Sequence, residues 1–186
     1  MEELITRHDD MAWRTLESKY LIRRPWMTVR LDKVELPNGN VNPEFYVLEY
    51  MPWVNVIAIT EEGEFLMVRQ YRYGLRDTRY EIVAGAVEDG EEPLHAAQRE
   101  LLEETGFGGG TWREFCVMSV NCSSHNNLTH TFLAEGVRKV AEAHQEPTED
   151  VHVHFLSREQ VLQLLREDEI KQASMATGLL KYFLFG

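Results

Sequence analysis

Residues 85–107 read GAVEDGEEPLHAAQRELLEETGF, and the spacing of their apolar and acidic positions decides the fold. Pro93 is placed to open a helix in its first turn, where its missing N–H costs nothing. Leu94, Ala97 and Leu101 recur at i, i+3 and i+7 and give that helix an apolar stripe for a core. At about 100° per residue, Glu100, Glu103 and Glu104 fall on one arc of the same helix. Like charges at that spacing repel. A solvated acidic face would tolerate the repulsion, and a hard, oxygen-seeking dication such as magnesium would offset it. Gly106 sits where a helix ends in a left-handed residue, and Gly85 follows the strand-like run Tyr80-Glu81-Ile82-Val83-Ala84. The unit is therefore strand, glycine-bearing loop, acidic helix and glycine stop. Arg99 can pair with a neighbouring carboxylate and orient it, and Glu91 can brace the loop through backbone amides.

Working outward, Val54–Ile59 and Phe65–Arg72 flank a turn at Glu61-Glu62-Gly63 and predict a hairpin. Three further strands are expected at 115–120, 130–134 and 151–156. Ser157-Arg158-Glu159-Gln160 has capping-box spacing and opens the apolar series Val161, Leu162, Leu164 and Leu165. A closing helix is expected over 173–183. Upstream of Pro52, the segments RPWMTVRLDKVEL and EFYVLEY are extended in pattern and are separated by the turn signal Pro37-Asn38-Gly39-Asn40. The expected organisation is a small antiparallel appendage over residues 1–50 and a catalytic domain over 51–186. Trp13, Tyr20, Trp26, Phe45, Tyr46 and Tyr50 are many aromatics for so small a sheet, which predicts that it packs on something.

The chain of 186 residues is 44% hydrophobic and carries 31 acidic against 19 basic residues, net −12. That balance argues against nucleic acid as a partner, because affinity for a phosphate backbone comes from neutralising it. A small phosphorylated substrate fits, since bound cations invert the sign of an acidic pocket. Cys116 and Cys122 have neither zinc-ligand spacing nor disulfide density and read as free thiols. The N-terminal stretch has no apolar signal core, and no apolar run reaches the roughly 18 residues of a membrane span. A soluble, cytoplasmic protein with no membrane partner is expected. His152 and His154 share one face of a strand, with no third ligand in register, and read as ordinary strand residues.

Gly85, five residues, Glu91, seven residues, Arg99-Glu100-Leu101, one residue, Glu103-Glu104, one residue and Gly106-Phe107 together resemble the complete Nudix box. The resemblance implies an α/β fold of the α+β kind, an α/β/α sandwich around a mixed sheet, and a magnesium-dependent pyrophosphohydrolase that also admits manganese. It implies that Glu100, Glu103 and Glu104 ligate the metal with help from the main-chain carbonyl of Ala84, and that Glu91 and Arg99 support them.

Beyond the box, Val68-Arg69-Gln70-Tyr71-Arg72, Glu81-Ile82-Val83-Ala84-Gly85 and the stretch 149–160 are similar to the ADP-ribose pyrophosphatase group of nucleoside diphosphate sugar hydrolases. That likeness implies a homodimer joined through N-terminal sheets and a nucleotide-sugar substrate. Arg30, Arg69, Arg79 and Glu81 are then the candidate substrate contacts, since guanidinium forks suit phosphate and sugar edges. A general base is expected from the polar segment before the last strand, where Glu149 is favoured over Glu146 and Asp150. One departure stands out: where that group commonly carries a proline past the box, this chain reads Val120-Asn121-Cys122-Ser123-Ser124. The polar run from Asn121 to Asn127 lines a sugar or base pocket or is an ordinary loop. Other nucleoside diphosphate derivatives (GDP-mannose, NADH, dinucleoside polyphosphates) and a non-catalytic nucleotide-sugar sensor are the rival readings.

Overall fold

The computed structural model describes residues 11–145 and 147–186. Residues 1–10 and the candidate base Glu146 lie outside them. The chain divides into two compact units: the residues up to Tyr50 together with Asn121–Asn126, and Met51–Val120 together with Asn127–Gly186.

Among the described residues the first unit is an antiparallel sheet of three strands in the order β1 (Arg14–Arg24), β2 (Met27–Glu35), β3 (Val41–Glu49). The β2–β3 turn falls on the expected Pro37–Asn40 signal and is closed by Leu36 N donating to Asn40 O at 2.9 Å. The sequence reading missed β1. Its residues, RTLESKYLIRR, are exposed along the whole strand, so no core face imposes the alternation that marks a strand. The polar run contributes backbone to this unit. Leu48 N donates to Ser124 O at 2.8 Å and Asn126 N to Leu48 O, while the His125 ring lies 5.1 Å from that of Tyr50.

The second unit holds a mixed sheet. Its central strands β4 (Trp53–Thr60) and β10 (Thr129–Lys139) run parallel, and β5 (Phe65–Arg72), β6 (Asp77–Glu81), β7 (Val83–Ala86), β8 (Phe107–Gly108), β9 (Thr111–Met118) and β11 (His152–Leu156) join antiparallel. Strand alternation divides β4 between two cores. Val54, Val56 and Ala58 join Ala96, Ala97 and Leu101 of α1 (Pro93–Thr105). Ile57, with Phe65, Met67 and Leu133, packs under α2 (Arg158–Arg166) and α3 (Ala173–Phe185) through Val161, Met175 and Leu179. Both faces of the sheet are therefore covered, which is why β4 reads as a nearly continuous apolar run.

The helix boundaries follow local chemistry. Ser157 Oγ accepts from Gln160 N while the Gln160 side chain accepts from Ser157 N, completing the box at α2. Gly106 ends α1 at φ 72°, and a Cβ there would meet Ala141 O at 2.2 Å, so only glycine fits. The expected apolar stripe of α1 needs one correction. Ala97 and Leu101 are buried, but Leu94 is 36% exposed, and Ala96, Glu104 and Thr105 complete the buried face. Turning Leu101, fully buried, into alanine would cost about 2–5 kcal/mol. Among the described residues no helix is long and apolar enough to cross a membrane.

Candidate active site

The α1 register that seats Leu101 in the core also sets Glu100 against β7 at Gly85, with Glu103 and Glu104 one turn further along the helix. Gly85, paired with Val54 across β4 and β7, makes the close approach possible. A Cβ at this position would sit 2.0 Å from the Glu100 carboxyl carbon. The backbone at Ala84 and Gly85 and the Glu100 carboxylate thus share a space that any side chain at 85 would fill.

Arg99 organises the carboxylates. Its Nε and Nη2 donate to the two oxygens of Glu91 at 3.0 and 2.9 Å, a bidentate pair. Nη1 donates to Glu100 at 2.8 Å and to Glu103 at 3.1 Å, and Nη2 also donates to Ala86 O at 3.0 Å. Glu91 further accepts from Glu88 N at 3.0 Å, tying the loop to the helix. The Arg99 guanidinium holds the Glu91 carboxyl below its ordinary range.

Glu104 is left unbalanced. It is 3% exposed, and its Oε2 is buried with no hydrogen-bond partner. Burial, then the charges of Glu100 and Glu149, push its pKa to about 9. Burial also raises Glu100, to about 7, with Glu103 and Glu149 adding to the effect and Arg99 opposing it. A buried carboxyl with no donor is held protonated until a cation stabilises its charged form, so the donor set, all hard oxygen, fits a magnesium-like ion. Among the described residues, three or more ligating side chains do not already converge as a finished cage. Arg99 holds Glu100 and Glu103 in its own hydrogen bonds, and Glu104 alone is free of it.

Beside these carboxylates lies a pair that the sequence reading caught only in part. Arg72 Nε and Nη2 donate to the two oxygens of Glu81 at 2.8 and 2.5 Å. Glu81 is 4% exposed, and Gln70 Nε2 adds a longer contact at 3.5 Å. The Arg72 guanidinium is held protonated by Glu81 first and also feels Glu104 and Glu149. Arg72 was absent from the candidates because its importance comes from β5–β6 pairing, which only the folded sheet supplies.

The remaining candidate arginines have partners of their own. Arg79 Nη1 donates to Glu169, and Nη2 reaches Asp77 at 2.5 Å. Arg69 lies over the Tyr80 ring at 5.6 Å. Arg30 belongs to the first unit, where it donates to both oxygens of Asp32 at 3.0 and 3.1 Å and to Glu49. Glu149 is exposed and close enough to raise the pKa of both Glu100 and Glu104. The other candidate base, Asp150, contacts His152 at 3.0 Å, and His154 packs edge-on against Tyr80.

Two family profiles match adjoining stretches of the chain. One described as "Nucleoside diphosphate sugar hydrolase N-terminal domain" covers residues 13–48, and one described as "NUDIX domain" covers 49–177. An ADP-ribose pyrophosphatase of Bacillus subtilis (strain 168) is 33% identical over 89% of this chain and 90% of its own length. A methanol dehydrogenase activator of Bacillus methanolicus is 31% identical over 84% of this chain and 85% of its own. Among solved structures, one titled "Crystal structure of ADP compounds hydrolase" superposes with a TM-score of 0.80 at 20% identity, covering 93% of each chain. That last likeness concerns the fold.

Proposed function

The chain belongs to the NUDIX family of pyrophosphohydrolases, and we propose that it cleaves the pyrophosphate bond of ADP-ribose or a related nucleoside diphosphate sugar, with magnesium, to a nucleoside monophosphate and a sugar phosphate. The observation that carries the reading is the buried, unpartnered oxygen of Glu104 beside an Arg99-ordered set of carboxylates. A nucleotide-sugar sensor would have no use for such an arrangement.

Glu100, Glu103 and Glu104, with the carbonyl of Ala84, would hold the metal. When bound, the ion neutralises phosphate charge and makes water a nucleophile near neutral pH. The chain's own residues do the rest. Arg99, itself held by Glu91, keeps Glu103 oriented and holds Glu100 in the space that Gly85 leaves open. Arg72, fixed by Glu81, supplies a guanidinium beside the acidic cluster for a phosphate oxygen. A Glu149 carboxylate oxygen takes the proton from the attacking water. The water oxygen then bonds to phosphorus while the bridging P–O bond breaks.

The substrate class is supported by the relative named ADP-ribose pyrophosphatase and by the profile that covers residues 13–48. We infer a homodimer formed through the first unit. The support is the fully exposed β1, together with Trp13 at 49%, Trp26 at 70% and Tyr46 at 47% exposure. Free Cys116 and Cys122 fit a reducing, cytoplasmic setting.

A magnesium-containing panel of ADP-ribose, GDP-mannose, NADH, a diadenosine polyphosphate and a cap analogue tests the substrate. AMP and ribose 5-phosphate from ADP-ribose at the highest kcat/KM are expected. No phosphate-ester release from any member would return the reading to the sensor. Light scattering at two concentrations checks the dimer.

A further inference from the structure

Helix α1 needs outside partners for the carbonyls of its last turn, and the way it finds them bears on the reaction. Gly106 N donates to Leu102 O at 2.7 Å, and Lys139 Nζ donates to Thr105 O at 3.1 Å. The two carbonyls between them belong to Glu103 and Glu104. His144 N donates to Glu103 O at 2.8 Å, and Gln145 Nε2 donates to Glu104 O at 3.3 Å. The segment that leads to Glu149 therefore forms half of the cap on the helix that carries the acidic cluster.

Gln145 does more than cap. Its Nε2 also donates to Val151 O at 2.7 Å, and its Oε1 accepts from Val151 N at 3.2 Å. A primary amide thereby pairs with the two polar atoms of Val151 as a neighbouring strand would. Val151 is 7% exposed and belongs to the core beneath α1. One side chain thus fastens together positions 145 and 151 and ties both to the backbone of Glu104. Glu149 lies between those positions, and its charge is felt by Glu100, Glu104 and Arg72.

We propose that Gln145 is a positioning residue for hydrolysis: its amide holds Glu149 at a set reach from Glu100 and Glu104. The proposal rests on the reading of Glu149 as the proton acceptor. Glutamine suits the task because it offers a donor and an acceptor at one distance from the chain. Glutamate loses the donors, asparagine is a methylene short, and methionine keeps the length with neither group. An ordinary cap would act on stability, whereas a positioning residue acts through Glu149.

The test is steady-state hydrolysis of ADP-ribose in saturating magnesium by Gln145→Met, Glu149→Gln and the double variant, with hydrogen exchange at the Val151 amide. Gln145→Met is expected to lower kcat about 10- to 100-fold, the usual loss on removing a group that orients a reacting one, with KM within about threefold. The Val151 amide should exchange about tenfold faster while the Leu101 amide in mid-helix keeps its rate. Within the Glu149→Gln background, Gln145→Met should cost less than about twofold, because the two act through one group. Gln145→Glu, which keeps the acceptor for Val151 N, provides a second variant should the methionine chain fail to fold, and the same non-additivity is expected of it. A wild-type kcat in both Gln145 variants overturns the proposal, as does a full multiplicative loss in the double variant. If Glu149→Gln itself turns over at the wild-type rate, the reading beneath the proposal falls and takes the proposal with it. A slow Glu149→Gln beside an unimpaired Gln145→Met removes the proposal alone.

Discussion

Two arginines each gather several carboxylates, Arg30 in the first unit and Arg99 on α1, and they leave their surroundings in different states. Arg30 serves Asp32, 3% exposed, and Glu49, and Ser18 Oγ donates a further hydrogen bond to Asp32 at 2.6 Å. Every carboxylate in that network has a donor. Arg99 serves Glu91, Glu100 and Glu103, but the fourth acid of the cluster, Glu104, keeps a buried oxygen without any. A closed network spends its charge on its own fold. An open one stores charge that a cation or substrate can use, and the cost shows in the raised pKa values of Glu100 and Glu104.

The largest test of that contrast is Glu104→Gln. It is expected to lower kcat roughly 100- to 1,000-fold in saturating magnesium, while the metal-free melting temperature stays level or rises because folding no longer has to protonate a buried carboxylate. Near-normal turnover would place Glu104 with the closed kind. Next, Gly85→Ala would push the Glu100 carboxylate out of the space now left open. A loss of about a hundredfold in kcat, the usual result of an ångström-scale displacement, should come without global unfolding in circular dichroism.

Arg30→Met strips Asp32 of its cation. A stability loss of about 2 kcal/mol is expected, the figure for a broken buried pair discounted for the guanidinium's partial exposure. Arg30→Met/Asp32→Asn should regain most of it in denaturant melts. A KM for ADP-ribose that stays raised in the stable double variant would make Arg30 a substrate contact as well.

The last test concerns pH. Glu100 at about 7 and Glu104 at about 9 both lie above their ordinary value of 4.5. Between those limits the folded, metal-free chain holds protons that the unfolded chain has released. Its stability is therefore highest at the acid end of the window and falls as pH rises from about 4.5 to 9, by at most about 1.4 kcal/mol per unit for each group. Thermal melts with and without magnesium should show the slope in the metal-free protein and a shallower one with the ion, and Glu104→Gln should remove most of it.

Much of the α1 region was legible in the linear order of residues. Pro93 starts the helix, Gly106 stops it, and the Arg99 and glutamate spacing places their groups on one arc. The capping box at Ser157 and the turns at Pro37–Asn40 and Glu61–Gly63 were equally local. What escaped has a common cause. Strand β1 carries no buried face to print a period on its sequence. Leu94 satisfies the helical stripe but ends up 36% exposed, because burial depends on what stands opposite. Arg72 and Gln145 left no motif at all. The first gains its place from a partner nine residues away across β5–β6 and the second from one 41 residues away.

By itself the sequence determined the chemistry on offer: an acidic helix of set register, its proline start and glycine stop, and the family's reaction class. Those features depend on neighbours within one or two helical turns, so residue order is enough to place them. The tertiary structure decided which charges are already spent and which remain open. Arg30, Arg72 and Arg79 are three arginines among many in the linear order, and the fold gives each its acids: Asp32 and Glu49, Glu81, and Asp77 and Glu169. Pairing across strands and between loops sets those distances, and with Coulomb energy and desolvation both acting over a few ångströms, proximity in space outranks proximity in the chain.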